Sequence, residues 1–134
     1  NIPDVATGRA LVEAAGRPNG GLCVDSWHFT RGNPDWDALG DLPGELVKGI
    51  QINDGTIEPE DPDYLHDCIA NRRLCGEGEF DLVRFVQTLD RIGAAEVPYS
   101  VEIISDALAQ RPAPEVAELT ARSTRELLEA ARGR

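Results

Sequence analysis

The apolar positions of this chain switch between helical and extended spacing, and the switches mark its elements. Val5, Ala6, Ala10, Leu11, Ala14 and Ala15 recur at helical spacing, predicting a helix that starts after Ile2-Pro3-Asp4 and ends at Gly16. Asn19-Gly20-Gly21 then turns into a short apolar run, read as a strand over 21–25. Residues 29–34 read as a loop, 36–39 as a short helix and 46–52 as a second, β-branched strand. A proline- and acid-rich loop over 56–63 leads to a short helix within 64–74, which Cys75-Gly76-Glu77-Gly78-Glu79 breaks. Leu82, Val83, Phe85, Val86, Leu89 and Ile92 form an amphipathic stripe, with Asp81 as cap and Gly93 as stop. A third strand over 99–103 precedes a last long helix over 113–131, with Val116, Leu119, Thr120, Leu127 and Leu128 on its apolar side.

Strands that alternate with helices, with no hairpin signal between them, predict βα units and a parallel sheet. Three parallel strands leave two open edges. The 134 residues are about half of what an eight-stranded barrel needs. The competing architecture is a small independent three-layer sheet.

Composition narrows the classes of function. The net charge of −11 argues against nucleic acid as a partner, because phosphate binding needs a basic face. No apolar run approaches the roughly 20 residues of a membrane helix, and no secretory signal precedes the first element. Three cysteines without a C-x-x-C pair suit free thiols in a reducing, cytoplasmic setting. Cys23, inside the first strand, reads as a small core hydrophobe. The chain begins with Asn rather than Met, so it is read as processed or cut from something longer.

Polar residues gather at the three strand ends: Asp25 with His28, Gln51 with Asn53 and Asp54, and Glu102 with Ser105 and Asp106. In parallel sheets the carboxyl ends of strands open into one crevice. Asp25, Gln51 and Glu102 would there offer three oxygen donors, a set suited to Mn²⁺, Mg²⁺ or Co²⁺. Each has a plainer reading. Asp25 serves equally well as a helix cap, and Gln51 as a structural amide. Glu102, between Val101 and Ile103, either faces inward and needs a cation or faces outward. His28 either contacts substrate or braces Asp25. Trp27 floors a pocket or fills the core. The pair Arg72-Arg73 near Gly76-Glu77-Gly78 clamps a ligand or forms a solvated face. That Gly-x-Gly lacks the Lys-Ser/Thr of a phosphate loop.

Four motifs occur in order: Val24-Asp25-Ser26-Trp27-His28, Gln51-Ile52-Asn53-Asp54, the run 72–81 reading Arg-Arg-Leu-Cys-Gly-Glu-Gly-Glu-Phe-Asp, and Val101-Glu102-Ile103-Ile104-Ser105-Asp106. Together they resemble the sugar phosphate isomerase/epimerase family. Its members share the xylose-isomerase-like barrel and include ketose epimerases, inosose dehydratases, dehydroshikimate dehydratases and endonuclease-four-type repair enzymes. The resemblance implies that 1–134 is the C-terminal half of a (β/α)8 TIM barrel, about strands six to eight with flanking helices. It implies a divalent metal on Asp25, Gln51 and Glu102, and substrate contacts from His28 and Arg73. Many members have His where Gln51 stands, and dehydroshikimate dehydratase-like members can use Gln. Two departures stand out: the fourth ligand, a Glu, would precede Asn1, and Cys75 replaces a usual Pro.

The function expected on this basis is that of a fragment of a metal-dependent isomerase, epimerase or dehydratase, at best a crippled catalyst unless another chain completes it. It would act on a sugar, cyclitol or related polyhydroxy-keto compound by proton transfer next to a carbonyl. Glu102 would be acid/base, His28 a catalytic and orienting group, and Arg73 and Trp27 substrate contacts. The rival expectation is a half-barrel inactive alone, which pairs with a complementing N-terminal half or with itself. A repair enzyme is disfavoured by the acidic charge and by the lack of further His-rich motifs.

Overall fold

A computed structural model of the chain describes residues 2–133. Helix α1 (Val5–Ala15) is capped by Asp4, whose carboxylate accepts the Thr7 N–H at 2.8 Å, and Gly16 closes it at φ 56°. Strand β1 (Leu22–Asp25) passes without a loop into α2 (Ser26–Arg31). The loop expected over 29–34 therefore begins only after Arg31. The reason is local: Asp25 ends the strand and also caps the helix, its Oδ1 accepting the His28 N–H at 3.0 Å. Helix α3 (Trp36–Gly40), capped twice by Asp35, and a short 3₁₀ turn (Gly44–Leu46) lead to β2 (Val47–Ile52).

Helix α4 (Tyr64–Ala70) stops before the Arg pair, which is extended rather than helical. Asp81 caps α5 (Leu82–Leu89), which continues through a wide turn (Asp90–Ala94) until Gly93 adopts φ 94°. Strand β3 (Tyr99–Val101) is shorter than expected, although Glu102 adds one more ladder bond, its N–H reaching Ile52 O at 3.2 Å. A single turn, α6 (Asp106–Ala109), precedes α7 (Ala113–Arg132).

The three strands pair in parallel in the order β1-β2-β3. Side chains alternate between the two faces of a strand. One face sends Val24, Ile50 and Ile52 into a core with Leu39, Leu42, Phe85, Val86, Leu89, Leu127 and Ala131. Each such side chain contributes about 1.5–3 kcal/mol by leaving water. Phe29 bridges α2 to this core, 5.7 Å from Phe85 and 4.8 Å from Trp36 between ring centres. Helix α7 covers it with Thr124, Leu127 and Ala131, closer to its C-terminus than the expected stripe, while Leu119 and Thr120 are only half-buried.

The opposite face is uncovered and polar. It carries Cys23, Gly49, Gln51 and Ser100. Cys23 is exposed, which corrects its reading as a core residue. The register shift between Leu22 and Cys23 places Cys23 beside Gly49 on this open side. The architecture is α/β with parallel βα units and an open three-stranded sheet. No helix is long and apolar enough to cross a membrane among the described residues.

Candidate functional site

Register brings the expected ligands together. Asp25 pairs with Gln51, and Gln51 with Ser100, so Asp25 and Gln51 lie in one row at the carboxyl ends of β1 and β2. Glu102, two residues past Ser100, points to the same side at the end of β3. The two carboxylates meet at one nitrogen. Arg72 Nη1 donates to Glu102 Oε2 at 2.6 Å and lies 3.5 Å from Asp25 Oδ2.

Both carboxylate oxygens of Asp25 are engaged. Oδ1 caps α2, while Oδ2 faces the crevice and accepts the Asn53 amide at 3.2 Å. Burial pushes the Asp25 carboxyl above its usual range; the His28 N–H and Arg72 pull it back only in part. Asn53 is fully buried and leaves its Oδ1 without a hydrogen-bond partner. Ser26 pins the neighbouring backbone, its hydroxyl donating to Asn53 O at 2.7 Å and accepting the Asn53 N–H at 3.0 Å.

Of the two adjacent arginines, Arg72 reaches the site. The segment 71–73 runs extended between the β2 and β3 loops: Arg73 N–H donates to Asp54 O at 2.8 Å, and Arg72 N–H to Ile104 O at 3.1 Å. Alternation then turns Arg72 inward, with 3% of its side chain exposed, and Arg73 outward, with 37%. Arg73 pairs with Glu60 at 2.7 Å. Arg72 is held by Cys68 O, Cys68 Sγ and Glu102 O as well as by the carboxylates. Burial alone would lower its pKa, but these contacts outweigh it and keep the guanidinium firmly charged.

Trp27, expected against substrate, is buried to 1% and lies beneath the strand ends. Arg31 stands 4.8 Å and Arg72 5.5 Å from its ring, and Phe80 meets it edge-on at 5.8 Å. Its bearing on the crevice runs through Arg72. His28 is exposed at the first turn of α2, its Nδ1 3.3 Å from the Tyr64 hydroxyl. His66 pairs with Asp61 on the surface.

Two buried carboxylates brace this platform. Asp67 forms an ion pair with Arg31, accepts the Asn71 amide at 2.8 Å and so ties α4 to α2. Asp54 accepts backbone N–H groups from Gly55, Gly76 and Phe80 at 2.8, 2.9 and 3.1 Å. Gly78 lies so close that a Cβ there would stand 2.2 Å from Asp54 Oδ1 and 2.5 Å from the Gly55 backbone. A Cβ on Gly55 would strike Trp27 at 2.6 Å. The Gly-x-Gly run thus packs against Asp54.

The donor chemistry fits a hard or borderline divalent ion: two carboxylates and one amide at one end of the sheet, in a cavity that Cys23 and His28 also line. No group of three or more His, Cys, Asp or Glu side chains able to hold a metal ion is present among the described residues. The amide of Gln51 would therefore have to serve as the third donor.

Residues 2–127 match the family described as xylose isomerase-like TIM barrel. A 3-dehydroshikimate dehydratase from Pseudomonas aeruginosa is 31% identical over 102 residues, which are 76% of this chain and 16% of that protein. The IOLI protein, solved with a bound zinc atom, superposes with a TM-score of 0.86 at 23% identity, over 97% of this chain and 45% of that one. A xylose isomerase domain protein from Alicyclobacillus acidocaldarius gives a TM-score of 0.76 at 30% identity, over 96% and 44%. A xylose isomerase-like TIM barrel fused to 4-hydroxyphenylpyruvate dioxygenase gives 0.85 at 28%, over 97% and 20%. The chain thus spans less than half the length of each of these proteins.

Proposed function

We propose, from the premise that the chain belongs to the xylose isomerase-like TIM barrel family, that it carries the metal-binding strand ends of a sugar or polyol isomerase, epimerase or dehydratase. The substrate is a small sugar, cyclitol or related polyhydroxy-keto compound. The observation that carries this reading is the convergence of Asp25, Gln51 and Glu102, with both carboxylates on one guanidinium.

Asp25, Gln51 and Glu102 would hold the ion: Mn²⁺, Mg²⁺, Co²⁺ or, as in the IOLI structure, zinc. When bound, such an ion polarises a carbonyl or hydroxyl oxygen. Glu102 is the carboxylate placed to move a proton. Its side chain is 32% exposed, whereas that of Asp25 is 4% exposed and committed through Oδ1 to capping α2. His28, braced on one ring nitrogen by Tyr64, presents the other to a substrate oxygen. Arg73 stands farther out, where freeing it from Glu60 would let it reach a substrate oxygen. The distant likeness to a 3-dehydroshikimate dehydratase and the presence of Gln51 favour the dehydratase branch.

The test is hydrogen exchange beside the carbonyl. The chain is incubated in D₂O with Mg²⁺ and a panel of ketohexoses, inososes and 3-dehydroshikimate, and followed by proton NMR. The expected result is Mg²⁺-dependent loss of one C–H signal from one substrate class, abolished in Glu102→Gln. Exchange at the buffer rate throughout, or exchange indifferent to Glu102→Gln, contradicts the reading.

A second reading is association with a second copy or with a complementing half. It is favoured by the two open edges and the uncovered polar face. Mass in solution that rises with concentration supports it, and a monomer at all concentrations opposes it.

A further inference from the structure

The guanidinium of Arg72 lies where two carboxylates of a divalent-ion site converge, and we infer that it is a built-in counter-ion that such an ion must compete with. The inference rests on the metal reading above and adds a control on it. Two carboxylates this close repel each other unless a cation stands between them. Here Nη1 of Arg72 supplies that charge, 2.6 Å from Glu102 Oε2 and 3.5 Å from Asp25 Oδ2.

Arg72 is not free to withdraw. Nε donates to Cys68 O at 2.8 Å, Nη2 to Cys68 Sγ at 3.3 Å and Nη1 to Glu102 O at 3.1 Å, while its backbone N–H holds Ile104 O. Each of its three side-chain nitrogens makes at least one of these bonds and the side chain is 3% exposed, so the guanidinium is fixed beside the carboxylates. Asp25 is equally fixed, through its cap on α2. Glu102, a third exposed, is the member able to turn. An ion held here would therefore have to draw Glu102 away from Arg72 while Arg72 stays. The fixed unit charge would then oppose the ion and lower the site's affinity. The arginine holds the site in shape without metal and sets a threshold concentration for loading.

The experiment compares Mn²⁺ binding by calorimetry in the wild-type chain, Arg72→Gln and Arg72→Lys. Arg72→Gln is expected to bind at least about tenfold more tightly, because a fixed positive charge near the ion is gone. Arg72→Lys, which keeps the charge, is expected to stay within about threefold of wild type. Folded Arg72→Gln that binds no tighter than wild type overturns the inference while leaving the metal reading intact. No binding by any of the three overturns both. Should Arg72→Gln fail to fold, the wild-type chain itself decides. Saturating Mg²⁺ should shift the ¹⁵N resonances of the Arg72 guanidinium, and resonances that do not move overturn the inference.

Discussion

Asp67→Ala is expected to cost about 3–5 kcal/mol of folding stability, the range for leaving one partner of a buried ion pair uncompensated. Arg31 would remain charged with 3% of its side chain exposed, against the Trp27 ring. The damage should reach the crevice, because Asp67 also holds Asn71 next to Arg72 and accepts the Glu60 N–H. Replacing both partners, Arg31→Met with Asp67→Leu, should recover most of the loss.

The pair also has a pH signature. Burial pushes the Asp67 carboxyl up, but its hydrogen bonds from Asn71 and Arg31 outweigh that and hold it below its ordinary 3.8. A depressed folded pKa means that the folded state holds the proton less tightly than the unfolded chain. The pair's contribution is therefore complete above the unfolded value and disappears as pH falls below about 3.8. Urea unfolding from pH 7 down to pH 3 should show an acid-side loss that is smaller in the double variant. Equal acid sensitivity would remove the pair from the account.

Asp54→Ala should lower stability by at least about 3 kcal/mol, since three backbone N–H groups lose their acceptor. Asp54→Asn should cost roughly half as much, because one amide oxygen can keep the Gly55 and Phe80 bonds while the Gly76 bond is lost. Urea midpoints of both variants measure this. An Ala variant as stable as wild type would show that water or rearrangement satisfies the turn. The Asp67 and Asp54 variants probe the same idea: buried carboxylates position the segments around the strand ends.

Much of this was legible in the sequence where one residue does one job. Asp81 before an amphipathic stripe marks α5, and the β-branched run 46–52 marks β2 (Val47–Ile52). Asp25 is harder because it ends a strand and caps a helix at once, so the chain reads as a loop from Phe29 although α2 runs to Arg31. Four strand residues do not reveal which parity faces the helices, so Cys23 reads as a core residue although it is exposed. The arginine pair posed the same problem. Arg72 and Arg73 differ only by one step of alternation, and the direction of that step is set by pairing to Asp54 and Ile104, each far away in the chain. The bracing roles of Asp67 and Asp54 depend on contacts to Arg31 and to the glycine turn, which no local pattern encodes. The shared row of Asp25 and Gln51 is readable because parallel strands place their carboxyl ends together.

The measurement that bears most directly on the account is a calorimetric Mn²⁺ titration of the chain alongside Asp25→Asn, Gln51→Ala and Glu102→Gln, with folding checked by circular dichroism. One ion per chain is expected at micromolar affinity, weakened at least about tenfold in each carboxylate variant and less in Gln51→Ala. A folded chain that takes up no ion, or carboxylate variants that bind as wild type does, would contradict the claim that these strand ends form a metal site.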